Sequence, residues 1–224
     1  MSLHVINVEQ GSPEWHDARR GIVTASVVGQ LVTPSTIKPA SNDRSRTLVP
    51  LLASERITGW TEEHYTSREM ERGHMDEPLA RDLYSRTYAQ ADESGFFIRD
   101  DWGFPIGASP DGLVGDDGGI EIKSRAPKAH LRTIVANEVP AENMAQIQTC
   151  LLVTGRSWWD YVSYCGGMPM WTKRVLPDER WFAAIVAAVE QTEIAIRDQI
   201  ATYQERTAGL PETERIDYEM EMVI

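Results

Sequence analysis

A turn-rich acidic stretch, GASPDGLVGDDGGIEIKSRAPK at residues 107–128, constrains the fold of this chain more than any other segment. Apolar and polar residues alternate in IEIK, which is typical of a β-strand with one buried face. The preceding GDDGG contains the Asp and Gly residues that favour a tight turn. The stretch therefore predicts two short strands joined by an Asp/Gly hairpin.

This hairpin brings acids and a lysine together. Side chains at i and i+2 of a strand point to the same face, so Glu121 and Lys123 project together and Ile120 and Ile122 face the other way. The hairpin also returns Asp111 beside Glu121. Two carboxylates suit Mg²⁺ or Mn²⁺, and a neighbouring lysine can orient or activate a water or neutralise developing charge. A surface ion pair on an exposed strand is the competing interpretation.

The rest of the chain predicts helices around a group of strands. Helices are predicted in two short pieces within 11–32, and over about 47–58, 67–90, 140–155 and 177–203. Strands are predicted at GFFIRD, FPIGASPDGLV, GGIEIKSR, SWWDYVSYC and MWTKRVL. Thr24 is expected to cap the second short helix, and the polar segment 33–46 to be an exposed loop. This order predicts a single α/β domain over residues 1–224, with a mixed central β-sheet flanked by helices.

Composition limits the class of protein. The net charge of −12 argues against a simple basic DNA-binding protein, but residues 123–132 carry Lys and Arg without an acid. Such a local basic surface is compatible with DNA, and a solvated charged face is the alternative. Cys150 and Cys165 are the only cysteines, which excludes a four-cysteine zinc or iron–sulfur site within one chain. No apolar run could span a membrane and no signal peptide is recognised, so a cytoplasmic protein is expected.

Several short motifs occur in order along the chain, and they extend beyond the hairpin. They are EWHDARRGIVTAS at 14–26, RGHMDEPLARDLY at 72–84, ASPDGLV at 108–114, GIEIKS at 119–124 and NMAQIQTCLLVTG at 143–155. Pro110-Asp111 followed by Glu121-x-Lys123 resembles the core of the PD-(D/E)xK nucleases. The whole series resembles one branch of them, the phage lambda exonuclease type of recombination nuclease (the YqaJ-like viral recombinases). The residue after the lysine, small or cysteine in that family, is Ser124, for which no role is expected.

The resemblance implies a restriction-endonuclease-like core at about residues 68–165 and a metal-dependent site within it. Asp111 and Glu121 would bind Mg²⁺, with Mn²⁺ as a substitute, and the backbone carbonyl of Ile122 would be a further ligand. Lys123 would position or activate the attacking water. Glu77 would complete the acidic cluster, either as a ligand of a second metal or through water.

The resemblance also implies residues that hold the substrate. Arg19, Ser26 and Ser109 would form a pocket for the 5′-terminal phosphate of DNA, since Arg supplies a planar fork and hydroxyls supply short donors. Gln146 would orient Lys123 or the water. Gln146 and Gln148 are two residues apart on a predicted helix, so at most one of them faces the site.

The implied activity is Mg²⁺-dependent 5′→3′ digestion of linear double-stranded DNA from 5′-phosphorylated ends, releasing mononucleotides and leaving a 3′ overhang for recombination or repair. A homotrimeric ring is implied, with Arg125, Lys128 and Arg132 lining a channel for DNA. A single-strand annealing protein is the expected partner. The bacterial cytoplasm is the expected location, which is compatible with a phage or prophage origin.

Three other interpretations remain open. An endonuclease on the same core would cut circular DNA and would not need the phosphate pocket. A non-catalytic DNA-binding protein would carry a decayed site, against which the intact Asp111, Glu121 and Lys123 argue. A protein-interaction module with an acidic surface hairpin would have no activity for Glu121→Ala to remove.

Overall fold

The computed structural model describes residues 2–62 and 67–215, so the two ends of the predicted 1–224 domain lie outside the described residues. The strands are β1 (Leu3–Ile6), β2 (Val23–Thr24), β3 (Val32–Thr33), β4 (Lys38–Pro39), β5 (Ala91–Asp92), β6 (Phe96–Arg99), β7 (Ile106–Ala108), β8 (Gly112–Val114), β9 (Gly118–Ser124), β10 (Trp158–Tyr164) and β11 (Trp171–Val175). The helices are α1 (Pro13–Arg19), α2 (Ala25–Val28), α3 (Asp43–Thr58), α4 (Arg68–Thr87), α5 (Pro127–Ala136), α6 (Ala141–Thr154) and α7 (Glu179–Thr207). None of these helices is long and apolar enough to cross a membrane.

The strands form two mixed sheets and a short β3–β4 pair. One sheet has the order β1-β6-β7-β2 and the other β11-β10-β9-β8-β5, with β2 parallel to β7 and β9 parallel to β10. The predicted α/β fold with mixed sheet and flanking helices is confirmed. The single strand predicted over FPIGASPDGLV is wrong: β7 ends at Ala108 in one sheet and β8 begins at Gly112 in the other. Pro110 lies between them, and proline has no N–H to donate to a ladder.

Helix α6 lies in the core against α2, α7 and both sheets. Ile147, Cys150 and Leu151 are almost completely buried, as expected for a helix covered on several sides. Gly155 caps the helix with a left-handed backbone (φ 71°), as the sequence predicts. Gln148 donates to the Leu176 carbonyl at 2.8 Å and accepts from the Asp178 amide at 3.0 Å, so it fixes α6 to the connection between β11 and α7.

Helix α4 covers the face of the five-stranded sheet that carries Ile120 and Ile122, and it is continuous through Gly73 and Pro78. The apolar cluster beneath it consists of Ala80, Tyr84, Ala91, Val114, Ile120, Ile122 and Val162. The isoleucines alternate with Glu121 and Lys123, so α4 is seated on the opposite face of β9 from those two side chains.

The second half of α4 is fixed to the sheet by a buried polar contact. The Tyr84 hydroxyl donates to Asp160 Oδ2 at 2.7 Å, and Arg174 donates to the two Asp160 oxygens at 2.9 and 3.0 Å. Replacing Asp160 with Ala leaves the buried Tyr84 hydroxyl without its acceptor. We therefore expect the free energy of unfolding, measured by chemical denaturation, to fall by about 2 kcal/mol. Asp82→Ala, at an exposed acid of α4, is the control and should change it by less than about 0.5 kcal/mol. Equal effects of the two substitutions would contradict this role for Asp160.

The segment predicted as a loop over 33–46 contains regular structure. It carries β4, and α3 begins within it at Asp43, where the Asn42 side chain accepts from the Ser45 amide at 3.0 Å. This is an N-terminal cap that the polar composition concealed. The strand β1 and the helix α5 were not predicted either. Helix α5 starts with proline at its first position, which is a normal helix start, but its charges favoured interpretation as a basic surface segment.

Candidate active site

The two carboxylates of the hairpin meet where β8 begins. Gly112 pairs with Ile120 in the antiparallel β8–β9 ladder, which places Asp111 opposite Glu121. The Ile122 amide donates to Asp111 Oδ2 at 2.6 Å and fixes that carboxylate. The predicted return of Asp111 beside Glu121 is therefore confirmed.

Glu121 and Lys123 form an ion pair on the same face of β9. Lys123 Nζ lies 2.5 Å from Glu121 Oε1, and the Lys123 side chain is 29% exposed while that of Glu121 is fully buried. Apart from Lys123, no residue that the structure describes donates a hydrogen bond to either Glu121 oxygen. Buried carboxylate oxygens are costly to leave in this state. The arrangement fits a carboxylate whose remaining partner is a cation.

The pKa values of the site also fit a group of carboxyls whose partner is a cation. Burial, followed by the charge of Asp111, raises the pKa of Glu121 to about 8, and burial also raises the pKa of Asp111. Burial opposes the charge on Lys123, but Glu121 and Asp111 outweigh it, so the pKa of Lys123 lies above its usual value. The lysine is therefore a charged ammonium beside two carboxyl groups whose pKa values are raised by burial.

Glu77 approaches this group from α4. Burial, then the charge of Asp111, raises the pKa of Glu77 to about 7. Its Oε1 accepts from Arg81 Nη2 at 3.3 Å, and Arg81 also pairs with Glu93 at 2.9 Å. Within residues 2–62 and 67–215, no three His, Cys, Asp or Glu side chains stand together as a metal-binding group. Glu77 thus lies within electrostatic range of Asp111 and Lys123.

The two glutamines of α6 differ in their surroundings. Gln148 is buried and engaged in the core contacts described above, so Gln146 stays the candidate for the site and its role stays a prediction. Gln146 is half-buried and lies one turn before Cys150, on the same side of the helix. Burial, then the charges of Glu121 and Asp111, raise the pKa of the Cys150 thiol, so this side of α6 lies close to the acid pair.

The three residues proposed for phosphate recognition lie together. Arg19 Nη1 donates to Ser109 Oγ at 2.9 Å, and Arg19 Nη2 donates to Ser26 Oγ at 3.2 Å. Arg19 is largely buried, which lowers its pKa to about 10, so it remains charged at neutral pH. The neighbouring Arg20 instead pairs with Asp17 on α1. The structure brings the three residues into one hydroxyl-lined group, and their role in binding stays a prediction.

Two further residues complete this group and were not predicted. Trp15 Nε1 donates to Ser109 Oγ at 3.0 Å, and the Arg19 guanidinium lies 4.0 Å from the Trp15 ring centroid. Thr24 does not cap α2 with its side chain as expected; its hydroxyl lies 3.4 Å from Arg19 Nη2 and 3.0 Å from Ser26 Oγ. Both residues are in the motif at 14–26, but the contact of Trp15 depends on Ser109, which lies directly after β7.

The phosphate group and the acid pair are joined by the connection between the two sheets. Ser109, directly after β7, and Asp111, directly before β8, are two residues apart. Their Cα atoms are therefore within about 7 Å of each other. Pro110 restricts the connection between them. A phosphate held at Ser109 is thus within the reach of one nucleotide from Asp111.

The basic residues predicted to line a channel differ in their contacts and exposure. Arg125 is engaged inside the protein, where it donates to the Tyr161 hydroxyl at 2.9 Å and to Asn143. Tyr161 pairs with Glu121 across the β9–β10 ladder, so Arg125 supports the back of the site. Lys128 and Arg132 are exposed on α5.

Fold and site together define a class of protein. A mixed sheet that carries an aspartate and a Glu-x-Lys triplet on neighbouring strands is the core of a PD-(D/E)xK nuclease with the restriction-endonuclease-like fold. The chain belongs to the YqaJ-like viral recombinase family, whose domain model matches residues 14–157. It is therefore a DNA-hydrolysing enzyme.

Solved structures agree with this assignment. The alkaline exonuclease LHK-Exo from Laribacter hongkongensis is similar with a TM-score of 0.79 and 32% sequence identity, over 89% of this chain and 100% of that chain. The complex of LHK-Exo with dAMP matches equally well. A phage related exonuclease from Haemophilus somnus 129PT shares the fold, with a TM-score of 0.63 and 12% identity over 81% of this chain and 96% of that one. No curated protein matches the sequence.

Proposed function

We propose that this chain is a Mg²⁺-dependent 5′→3′ exonuclease. It digests linear double-stranded DNA from 5′-phosphorylated ends, releases mononucleotides and leaves 3′ single-stranded overhangs for recombination. The observation that carries this proposal is the short connection Ser109-Pro110-Asp111. It joins Arg19 and its surrounding hydroxyl groups to the buried pair of Asp111 and Glu121. With this connection, the acid pair would lie about one nucleotide away from a terminal phosphate bound at Arg19 and Ser109. The relative named an alkaline exonuclease, and its complex with a mononucleotide, agree with this activity.

The acid pair fits a divalent metal. Glu121 buries both carboxylate oxygens with Lys123 as their one close cationic partner among the described residues, and carboxylate oxygens are the ligands that Mg²⁺ and Mn²⁺ prefer. Asp111 and Glu121 would hold the ion, with the Ile122 carbonyl as a further ligand. Glu77 would contribute through water or at a second ion. A bound metal lowers the pKa of a water molecule and neutralises charge on the leaving oxygen.

The protein side chains divide the remaining tasks. Arg19 binds the terminal phosphate through its planar guanidinium group, and the Ser26 and Ser109 hydroxyls donate hydrogen bonds to the same phosphate. Lys123 is the charged group that orients the attacking water and neutralises charge developing on the phosphoryl oxygens. Gln146 holds that water or the lysine in place. An endonuclease on the same core would have no use for the arginine group, which is why we favour an end-dependent enzyme.

The proposal extends to assembly and partners. A homotrimeric ring would enclose duplex DNA, with the exposed Lys128 and Arg132 facing it. A single-strand annealing protein would take up the 3′ overhang. The enzyme would act on DNA ends in the cytoplasm of a bacterial host.

Polarity is tested with a duplex labelled at one chosen end. A 5′→3′ exonuclease releases a 5′-phosphate label first, as a labelled mononucleotide, while a 3′ label stays on a shortening strand. Thin-layer chromatography of early time points distinguishes the two. Early release of the 3′ label, or release of labelled oligonucleotides, would contradict the proposal.

Metal binding is expected to strengthen as the pH rises. Burial raises the pKa of Glu121 to about 8 and that of Glu77 to about 7, so near neutral pH a metal must displace protons from both. Both pKa values lie above the value of about 4.5 for an unfolded glutamate, so protonation of these carboxyls stabilises the metal-free fold. That stabilisation is complete below about pH 4.5 and is lost as the pH rises through about 7–8. We expect the rise in melting temperature on adding Mg²⁺ to be larger at about pH 8.5 than at about pH 6.5. Equal rises at the two pH values would contradict this account.

A further inference from the structure

Ser124 makes two hydrogen bonds between β9 and α4. Arg72 Nε donates to its hydroxyl at 3.0 Å, and the hydroxyl donates to Asp76 Oδ2 at 2.6 Å. Arg72 and Asp76 are one turn apart on α4 and face the strand together. The residue for which the sequence suggested no role thus holds two side chains of the neighbouring helix. We call this group, Ser124 with Arg72 and Asp76, the hydroxyl clasp.

The clasp lies between two residues of the proposed site. Ser124 follows Lys123 directly on β9, and Asp76 precedes Glu77 directly on α4. One hydroxyl group therefore connects the residue after Lys123 to the residue before Glu77.

The two halves of α4 are anchored differently. The buried residues of the helix, Ala80, Arg81 and Tyr84, all come after Glu77. That half is fixed by apolar packing and by the Tyr84–Asp160 hydrogen bond. The half before Glu77 is mostly exposed, and the clasp supplies its side-chain hydrogen bonds to the sheet. Loss of the clasp would free the end of α4 that leads into Glu77, while the packed end would stay in place.

We propose that Ser124 is a positioning residue that sets the distance of Glu77 from the acid pair. This inference rests on the proposed function, in which Glu77 assists metal binding by Asp111 and Glu121. The clasp is expected to act on metal binding and not on the bond-breaking step, since its members hydrogen-bond to one another beside Glu77 and belong neither to the acid pair nor to the phosphate group. Groups that orient metal-binding residues in this way typically change metal affinity about 10–100-fold when lost.

The test compares full-length wild-type protein with Ser124→Ala, Ser124→Thr and Tyr84→Phe. Isothermal titration of the DNA-free protein gives the Mg²⁺ dissociation constant, and a digestion assay over a Mg²⁺ series gives the saturated rate. We expect Ser124→Ala to weaken Mg²⁺ binding about tenfold while the rate at saturating Mg²⁺ stays within about threefold. Ser124→Thr retains the hydroxyl and should restore binding. Tyr84→Phe removes the other anchor of α4 and should lower the melting temperature without changing Mg²⁺ binding.

Two results would overturn the clasp: an unchanged Mg²⁺ dissociation constant in Ser124→Ala, or an equal loss of affinity in Tyr84→Phe. Should Ser124→Ala fail to fold, Asp76→Asn weakens the same hydrogen bond and takes its place. Failure of the proposed function has a different signature. In that case the wild-type protein itself shows no Mg²⁺-dependent digestion. Unchanged Mg²⁺ binding in Glu77→Gln would instead overturn the clasp alone.

Discussion

Replacing Glu121 with Gln is expected to reduce the rate of DNA hydrolysis at least about 1,000-fold, a loss of about 4 kcal/mol of transition-state stabilisation. The substitution keeps the size of the side chain and removes its charge. Because Glu121 is fully buried beside Lys123, no solvent-exposed group can replace it as a ligand. The rate is measured under single-turnover conditions at saturating Mg²⁺, on linear duplex DNA.

The matched control for this experiment is on the same hairpin. Asp116 is exposed at the turn between β8 and β9, and Asp116→Asn makes the same kind of change without touching the acid pair. We expect it to retain wild-type activity, and both variants to retain the wild-type circular dichroism spectrum. Activity of Glu121→Gln within tenfold of wild type would mean that the acid pair is not the site of hydrolysis.

Replacing Arg19 with Ala is expected to lower the initial rate on 5′-phosphorylated ends about 100-fold and to leave the rate on 5′-hydroxyl ends nearly unchanged. The guanidinium is the charged group of the phosphate pocket and is already oriented by Ser26 and Ser109. Its loss removes an interaction that only the phosphorylated end can make. The ratio of the two rates, in a fluorescence assay with matched duplexes, is the quantity to measure.

Arg20→Ala is the control for Arg19→Ala, since Arg20 is adjacent in sequence and pairs with Asp17 away from the pocket. It should keep the wild-type ratio. Equal losses on both kinds of end in Arg19→Ala would show a general contact with DNA and would remove the basis for end recognition. A preserved ratio would place phosphate recognition elsewhere in the chain.

The acid pair could be predicted from the sequence because its geometry is local. Alternation over Ile120 to Lys123 and the Asp/Gly turn determine which side chains share a face, and the observed β8–β9 register agrees. The ends of α4, α6 and α7 were likewise predicted to within a few residues, because each is long and marked by caps or by its apolar pattern. These features depend on neighbours in sequence.

The remaining features depend on distant parts of the chain. No local pattern in 14–26 shows that Trp15 joins Arg19, since their shared partner Ser109 lies directly after β7, about ninety residues away. The split of the predicted long strand into β7 and β8 results from two sheets that the sequence does not distinguish. Ser124 shows the same limit, because a serine at the end of a strand indicates no contact until the position of α4 is known.

The most direct test of the central claim is a digestion assay with Mg²⁺ on three substrates: linear duplex with 5′-phosphate ends, the same duplex with 5′-hydroxyl ends, and covalently closed circles. The account predicts rapid digestion of the phosphorylated duplex, much slower digestion of the hydroxyl duplex and no cutting of circles, with all activity absent in Glu121→Gln. Cutting of closed circles would contradict end-dependent hydrolysis, and the absence of Mg²⁺-dependent digestion of every substrate would contradict the proposed site itself.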